Sequence, residues 1–211
     1  MEFKALLKSA CVIPVLEISL LERAAPVARA LAAEGVHVIE LTLRTPCALD
    51  AMKAMQDAEP ELKIGMGTVR SPADVEACVA AGAAFLVSPG AHPELLKAMH
   101  DAALPSLPGV ATASEAMMAR AAGFSVMKFF PAEPAGGVAY LKALAGPFPD
   151  IVFCPTGGVS ADRAPDYLAL SNVVCVGGSW IATKKMIAEG DWDVVAANAR
   201  RVIRIREAMR R

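Results

Sequence analysis

A lysine stands where a strand core is expected. In Ser125-Val-Met-Lys-Phe-Phe-Pro131 the amine of Lys128 interrupts a run that otherwise reads as buried. An unpaired ammonium is costly to desolvate, so the segment points to chemistry rather than packing. Held neutral, the amine becomes a nucleophile. A carboxylate can meet it. Alternation along residues 36–44 sets Val36, Val38, Glu40, Thr42 and Arg44 on one face of a strand, and His37, Ile39, Leu41 and Leu43 on the other. The second set is apolar enough to pack under helices, which leaves Glu40, Thr42 and Arg44 pointing inward. The same alternation gives Val126, Lys128 and Phe130 a common face, so lysine and glutamate converge. Two plainer readings stand beside this one: a Glu40–Arg44 pair, or a buried Lys128–Glu40 salt bridge. Buried pairs of that kind add little net stability.

Glycine pairs supply a second kind of chemistry. Pro155-Thr156-Gly157-Gly158 and Gly177-Gly178-Ser179 each follow an apolar run. Glycine lets backbone N–H groups approach phosphate oxygens closely, and Ser179 can donate a further hydrogen bond. Thr68, closing Gly65-Met-Gly-Thr68, and Pro89, after Val87-Ser88, complete a rim of small groups or serve as turn residues.

The elements that must position these groups follow a simple rhythm. Apolar, β-rich runs at 12–18, 36–43, 62–68, 85–88, 106–110, 125–130, 151–155 and 173–176 alternate with Ala-, Leu-, Met- and Glu-rich stretches such as 22–34, 73–81, 93–103 and 114–122. Strand followed by helix, repeated throughout, indicates parallel pairing. Eight units of about 26 residues each fit a (β/α)8 TIM barrel, here preceded by a short N-terminal helix. In such a barrel the reacting groups project from the carboxyl ends of the strands, and phosphate commonly sits after strands seven and eight, where the glycine pairs fall. An open doubly wound sheet would carry a glycine-rich loop after its first strand, and Leu16-Glu-Ile-Ser-Leu-Leu has no glycine. No linker or composition shift divides the chain, so residues 1–211 are expected to form one domain.

Composition narrows the partner. Lys and Arg number 21 against 22 Asp and Glu, and 55% of residues are hydrophobic. That balance does not favour nucleic acid or anionic membrane, and leaves a small molecule as the expected ligand. The amino terminus lacks the apolar core of a signal peptide and no run is long enough to span a bilayer, so a cytoplasmic location is expected. Cys11, Cys47, Cys78, Cys154 and Cys175 are dispersed, without a Cys-x-x-Cys pair, and read as reduced, buried thiols. His37, in an apolar strand, and His92 and His100, in or near a helix, have no partner at ligand spacing, so no metal is expected. The arginine-rich final helix, 192–211, reads as a solvated face.

Across nearly the whole chain the residues resemble the class I 2-dehydro-3-deoxy-6-phosphogluconate aldolases. The resemblance rests on Ile13-Pro-Val15, Ile39-Glu-Leu-Thr-Leu-Arg-Thr45, Gly65-Met-Gly-Thr-Val69, Ser88-Pro-Gly90, Leu107-Pro-Gly-Val110, Met127-Lys-Phe-Phe-Pro-Ala-Glu133, Gly136-Gly137, Phe153-Cys-Pro-Thr-Gly-Gly158 and Gly177-Gly-Ser-Trp180. It implies that Lys128 forms a Schiff base with the substrate's keto carbon and that Glu40 is the general acid/base. It assigns the pyruvyl carboxylate to Arg44 and Thr68, the shaping of the pocket to Pro89 and Phe130, and the hydroxyl and phosphate end to Thr156, Gly157, Gly158 and Ser179, beside the Gly177-Gly178 pair. It further implies a homotrimer, and a reaction with no cofactor because the iminium is the electron sink.

Two places depart from the family pattern. Glu17 stands near the end of strand one, where an apolar or basic residue is more usual, and reads as a solvated charge. Ile181-Ala-Thr183 stands where a proline often follows Gly-Gly-Ser-Trp. Alternatives remain: an aldolase for the galactonate epimer or for 4-hydroxy-2-oxoglutarate, a phosphosugar epimerase or isomerase, and a silent phosphometabolite-binding barrel.

Overall fold

The computed structural model describes residues 2–209; Met1, Arg210 and Arg211, the last two assigned above to the final helix, lie outside them. Among the described residues nine parallel strands are separated by helices, except that only Pro108 divides the fifth from the sixth: β1 (Val12–Leu16), β2 (Val38–Thr42), β3 (Lys63–Gly67), β4 (Phe85–Val87), β5 (Ser106–Leu107), β6 (Gly109–Val110), β7 (Val126–Phe129), β8 (Val152–Pro155) and β9 (Val176–Gly178). The helices are α1 (Glu2–Ala10), α2 (Ala24–Ala32), α3 (Ala48–Ala58), α4 (Pro72–Ala80), α5 (Pro93–Asp101), α6 (Ala113–Ala121), α7 (Gly137–Leu144), α8 (Ala164–Leu168), α9 (Lys184–Glu189) and α10 (Trp192–Ala208). Six strands, in the order β5-β4-β3-β2-β1-β9, make one curled sheet, and β6-β7-β8 make a second. This is a parallel α/β fold built around a six-stranded half-barrel.

Two of the differences from the expected strands have a clear backbone reason. The fifth predicted strand, 106–110, is two pieces: Ser106 and Leu107 pair with β4, while Gly109 and Val110 pair with β7. Pro108 between them has no N–H to give to a ladder, although its carbonyl accepts from the Lys128 N–H at 2.9 Å. The eighth strand lies later than 173–176. Gly177 and Gly178 are inside β9, paired with Ile13 and Pro14, rather than in the loop after it. A Cβ at Gly177 would run into the Thr156 hydroxyl of the neighbouring segment, so the close approach requires glycine.

Alternation sorts the core into two parts. The larger cluster lies between the sheets and the helices, and includes Ile39, Leu41, Ile64 and Met66 from one face of β2 and β3. The smaller one gathers Ile13, Val38, Phe85, Leu107 and Cys154 from strands of both sheets around Leu7 of α1. Leu7 is fully buried there, and Phe3 packs its ring 5.5 Å from Phe85. The N-terminal helix therefore closes the end of the interior beneath Val38, two residues before Glu40 on the same face. Burying a leucine in this way is worth about 1.5–3 kcal/mol.

Local signals set the helix starts. Ser71 with Asp74 and Thr112 with Glu115 form capping boxes, and Pro72 and Pro93 occupy first-turn positions. His37 lies exposed just before β2 instead of within it. Cys78, Cys154 and Cys175 are buried as expected, whereas Cys47 is half-buried. Of the arginines on α10, Arg200 and Arg201 pair with Glu34 and Asp162 at 2.5 Å each. Among the described residues no helix is long and apolar enough to cross a membrane, and no group of three or more His, Cys, Asp or Glu side chains is placed to hold a metal.

Candidate active site

Lys128 and Glu40 meet in the interior, 88 residues apart in sequence. β7 carries Lys128 between Gly109 of β6 and Cys154 of β8, and β2 carries Glu40 between Val15 of β1 and Gly65 of β3. The Lys128 Nζ donates to Glu40 Oε1 at 2.9 Å and to Oε2 at 3.3 Å. Their side chains are only 4% and 6% exposed. The Phe130 ring lies 5.2 Å from the same ammonium, within cation–π range. The contact sets a proton acceptor directly beside the amine.

Glycine makes the contact possible. A Cβ on Gly67, the last residue of β3, would collide with the Cγ, Cδ and Oε1 of Glu40. The glutamate side chain therefore lies across bare backbone. The next residue, Thr68, holds φ at +62°, unusual for a β-branched side chain. Strain of this kind concentrates at functional sites. Here it presents the Thr68 Oγ1, which accepts from the Arg44 Nε at 3.1 Å.

Arg44 is not in the buried interior that alternation suggested. It lies beyond the end of β2, with 45% of its side chain exposed, because the strand pairing stops at Thr42. Thr42 itself donates to the Leu16 carbonyl at 2.9 Å and ties β2 to β1. Glu17 is not a solvated charge. It accepts from Lys184 Nζ at 2.6 Å and lies 3.8 Å from an Arg44 guanidinium nitrogen, since the end of β1 faces the start of α9. Thus Glu40 pairs with Lys128, while Arg44 pairs with Glu17.

The glycine-rich segments flank this region. Gly157 and Gly158 have φ of +100° and +82°, and Thr156 forms a parallel bridge to Gly177. Glu133, after β7, donates its N–H to the Gly157 carbonyl at 3.0 Å and accepts from the Tyr167 hydroxyl at 2.7 Å. Burial first, then that hydrogen bond, pushes the Tyr167 phenol well up. Gly158 also packs against the Glu133 side chain, so part of the glycine requirement here is steric. Pro89 and Gly90 lie against Gly109, whose N–H donates to the buried Ser88 hydroxyl at 3.0 Å. Ser88 and Gly67 lie inside the quoted motifs without a role of their own in the sequence analysis; each adjoins a residue that has one, Pro89 and Thr68.

A cavity of about 200 Å³ opens among Glu17, Thr42, Arg44, Ser179 and Lys184 at the carboxyl ends of β1, β2 and β9. It lies beside the buried pair rather than around it, since neither Lys128 nor Glu40 lines it. Larger cavities, of about 540 and 560 Å³ around α1 and about 460 Å³ between α5 and α6, also lack both residues. Cys175, buried near the pair, is held as an unreactive thiol. Burial first, then the hydrogen bond with Cys154, pushes the Cys175 thiol well up, and Glu40's charge adds to the effect.

Residues 3–198 match the family model described as KDPG and KHG aldolase. The chain belongs to that aldolase family. Among its relatives is the 2-dehydro-3-deoxy-phosphogluconate aldolase of Dickeya dadantii (strain 3937), 47% identical over 91% of this chain and 90% of that one. The KHG/KDPG aldolase of Escherichia coli (strain K12) is 44% identical over 95% of this chain and 94% of that one. A solved KDPG aldolase from Legionella pneumophila, with pyruvate captured at low pH as a covalent carbinolamine intermediate, superposes with a TM-score of 0.91. It is 45% identical and the match covers 94% of this chain and 97% of that one. The aldolase fold thus brings together an amine and a carboxylate of the kind a carbon–carbon lyase needs.

Proposed function

We propose that this chain cleaves 2-dehydro-3-deoxy-6-phosphogluconate to pyruvate and glyceraldehyde 3-phosphate through a Schiff base on Lys128. The observation that carries the reading is the buried contact between Lys128 and both oxygens of Glu40. In the resting pair the ammonium passes its proton to Glu40, and the neutral amine attacks the keto carbon, C2. The carbinolamine hydroxyl leaves as water with the proton from Glu40. The resulting iminium draws the electrons of the C3–C4 bond while Glu40, again a carboxylate, takes the proton of the C4 hydroxyl. C4 departs as the aldehyde carbon of glyceraldehyde 3-phosphate. The enamine regains that proton at C3, and hydrolysis releases pyruvate and restores the ion pair. All the electrons stay within the substrate and the lysine.

Arg44 and Thr68 hold the pyruvyl carboxylate at the rim, fixing C2 beside Lys128. Pro89, Phe130 and Thr156 shape the pocket, and Gly157, Gly158, Gly177, Gly178 and Ser179 receive the phosphate. The framework proposed for this is a single (β/α)8 barrel domain, a reading supported by the interruption at Pro108 between β5 and β6 and by the isolated Thr156–Gly177 bridge between the ends of the two sheets. By the family resemblance the enzyme works without a cofactor, as a cytoplasmic homotrimer. A second substrate is favoured by the KHG/KDPG name of the Escherichia coli relative. On that reading 4-hydroxy-2-oxoglutarate uses the same pair, with a carboxylate replacing the distal phosphate end.

The decisive experiment is borohydride reduction in the presence of pyruvate, followed by peptide mass spectrometry. The expected adduct is on Lys128. Its absence, or an adduct at another lysine, rejects the mechanism; full activity of a Lys128→Ala protein favours the epimerase or isomerase alternative.

A further inference from the structure

We propose that Lys184, held in place by Glu17, is the side-chain cation of the distal phosphate end, a part for which the glycine segments and Ser179 supply only uncharged donors. The inference rests on the aldolase reading above and adds a residue to it. Glu17 and the Ile181-Ala-Thr183 segment are the two places where the sequence departs from the family pattern, and they meet in space. Glu17 Oε1 accepts from Lys184 Nζ at 2.6 Å across 167 residues of sequence. The carboxylate is the less exposed partner, at 23% against 61% for the lysine. Both line the same cavity of about 200 Å³ as Ser179 and Arg44.

An ammonium has three donors, and Glu17 occupies one of them. The others remain for an anion beside Ser179. A flexible four-carbon stem is a poor positioning device when free, and its tether to the end of β1 lowers the entropy lost when a phosphate binds. Glu17 also lies 3.8 Å from Arg44, so one carboxylate spaces the two cations that would face the two anionic ends of the substrate. Glu17 is thus a positioning residue, and Lys184 a binding one.

Kinetics on the phosphorylated substrate, alongside the pyruvate dependence of borohydride trapping, test the assignment. Lys184→Met is expected to raise KM for 2-dehydro-3-deoxy-6-phosphogluconate about five- to tenfold, the scale of one charge-assisted contact, with kcat within about twofold. The pyruvate concentration that half-saturates trapping at Lys128 should not move, because pyruvate carries no phosphate. Lys184→Arg should restore most of the affinity. Glu17→Ala should raise the same KM by less, and the two losses should not add. An unchanged KM in Lys184→Met, or a parallel shift in KM and pyruvate half-saturation, overturns the proposal. Failure of the wild-type enzyme to trap pyruvate would instead remove the aldolase reading beneath it.

Discussion

Gly67 lies directly against the Glu40 side chain, with no space for a Cβ between them. The placement of the carboxylate is therefore written partly into a neighbouring strand. Gly67→Ala is expected to displace Glu40 while leaving Lys128 in β7 untouched. Pyruvate trapping should persist and cleavage should fall about 10- to 100-fold, the cost of misplacing an acid/base group. Glu40→Gln should reach the upper end of that range. Trapping and steady-state cleavage assays on both variants check this, and wild-type turnover in Gly67→Ala would mean that the carboxylate has room to spare.

The Lys128–Glu40 pair also has a signature in stability. Removing one partner strands a charge in the interior, so Lys128→Met should cost about 3 kcal/mol or more in urea unfolding. Adding Glu40→Gln should recover much of that loss, since two buried charges are then gone together. Equal destabilisation by the single and double variants would show that the glutamate finds another partner.

At the start of α6 the sign of a pH effect can be worked out. The Ala111 N–H, followed by the hydroxyl and N–H of Thr112, holds the Glu115 carboxyl below the usual carboxylate range against the opposing effect of burial. A depressed folded-state pKa contributes stability that is fully present above the ordinary glutamate value, about 4.3, and is lost as pH falls through the folded value. Wild type should exceed Glu115→Gln by up to about 1 kcal/mol at pH 6, a figure scaled for an exposed cap, with the gap closing in acid. Urea titrations at pH 6 and in steps below pH 4.5 measure it; a gap independent of pH would assign the cap to neutral hydrogen bonding.

Period-two alternation was enough to aim Glu40 and Lys128 at each other, because a buried strand has two faces and only one could take charge. The end of β9 was hidden for the converse reason. Glycine has weak strand propensity, so Gly177 and Gly178 read as a loop, whereas the close approach of Thr156 places them in a strand. Pro108 divided a strand that hydrophobicity ran together. The Glu17–Lys184 contact joins residues 167 apart that no local pattern links, and only the return of the chain to β1 brings them into register. Arg44 lay on the inward face by parity, yet the strand ends before it, and an alternation rule has no term for where pairing stops.

The bridge between Thr156 and Gly177 joins β8 to β9 outside the main strand ladders, beside both glycine-rich segments. An anion gripped from both sides would act there as a clasp across a thinly stitched seam. Part of its binding energy would then appear as slowed hydrogen exchange at amides along β8 and β9, so the wall of the enzyme would tighten as its substrate arrives.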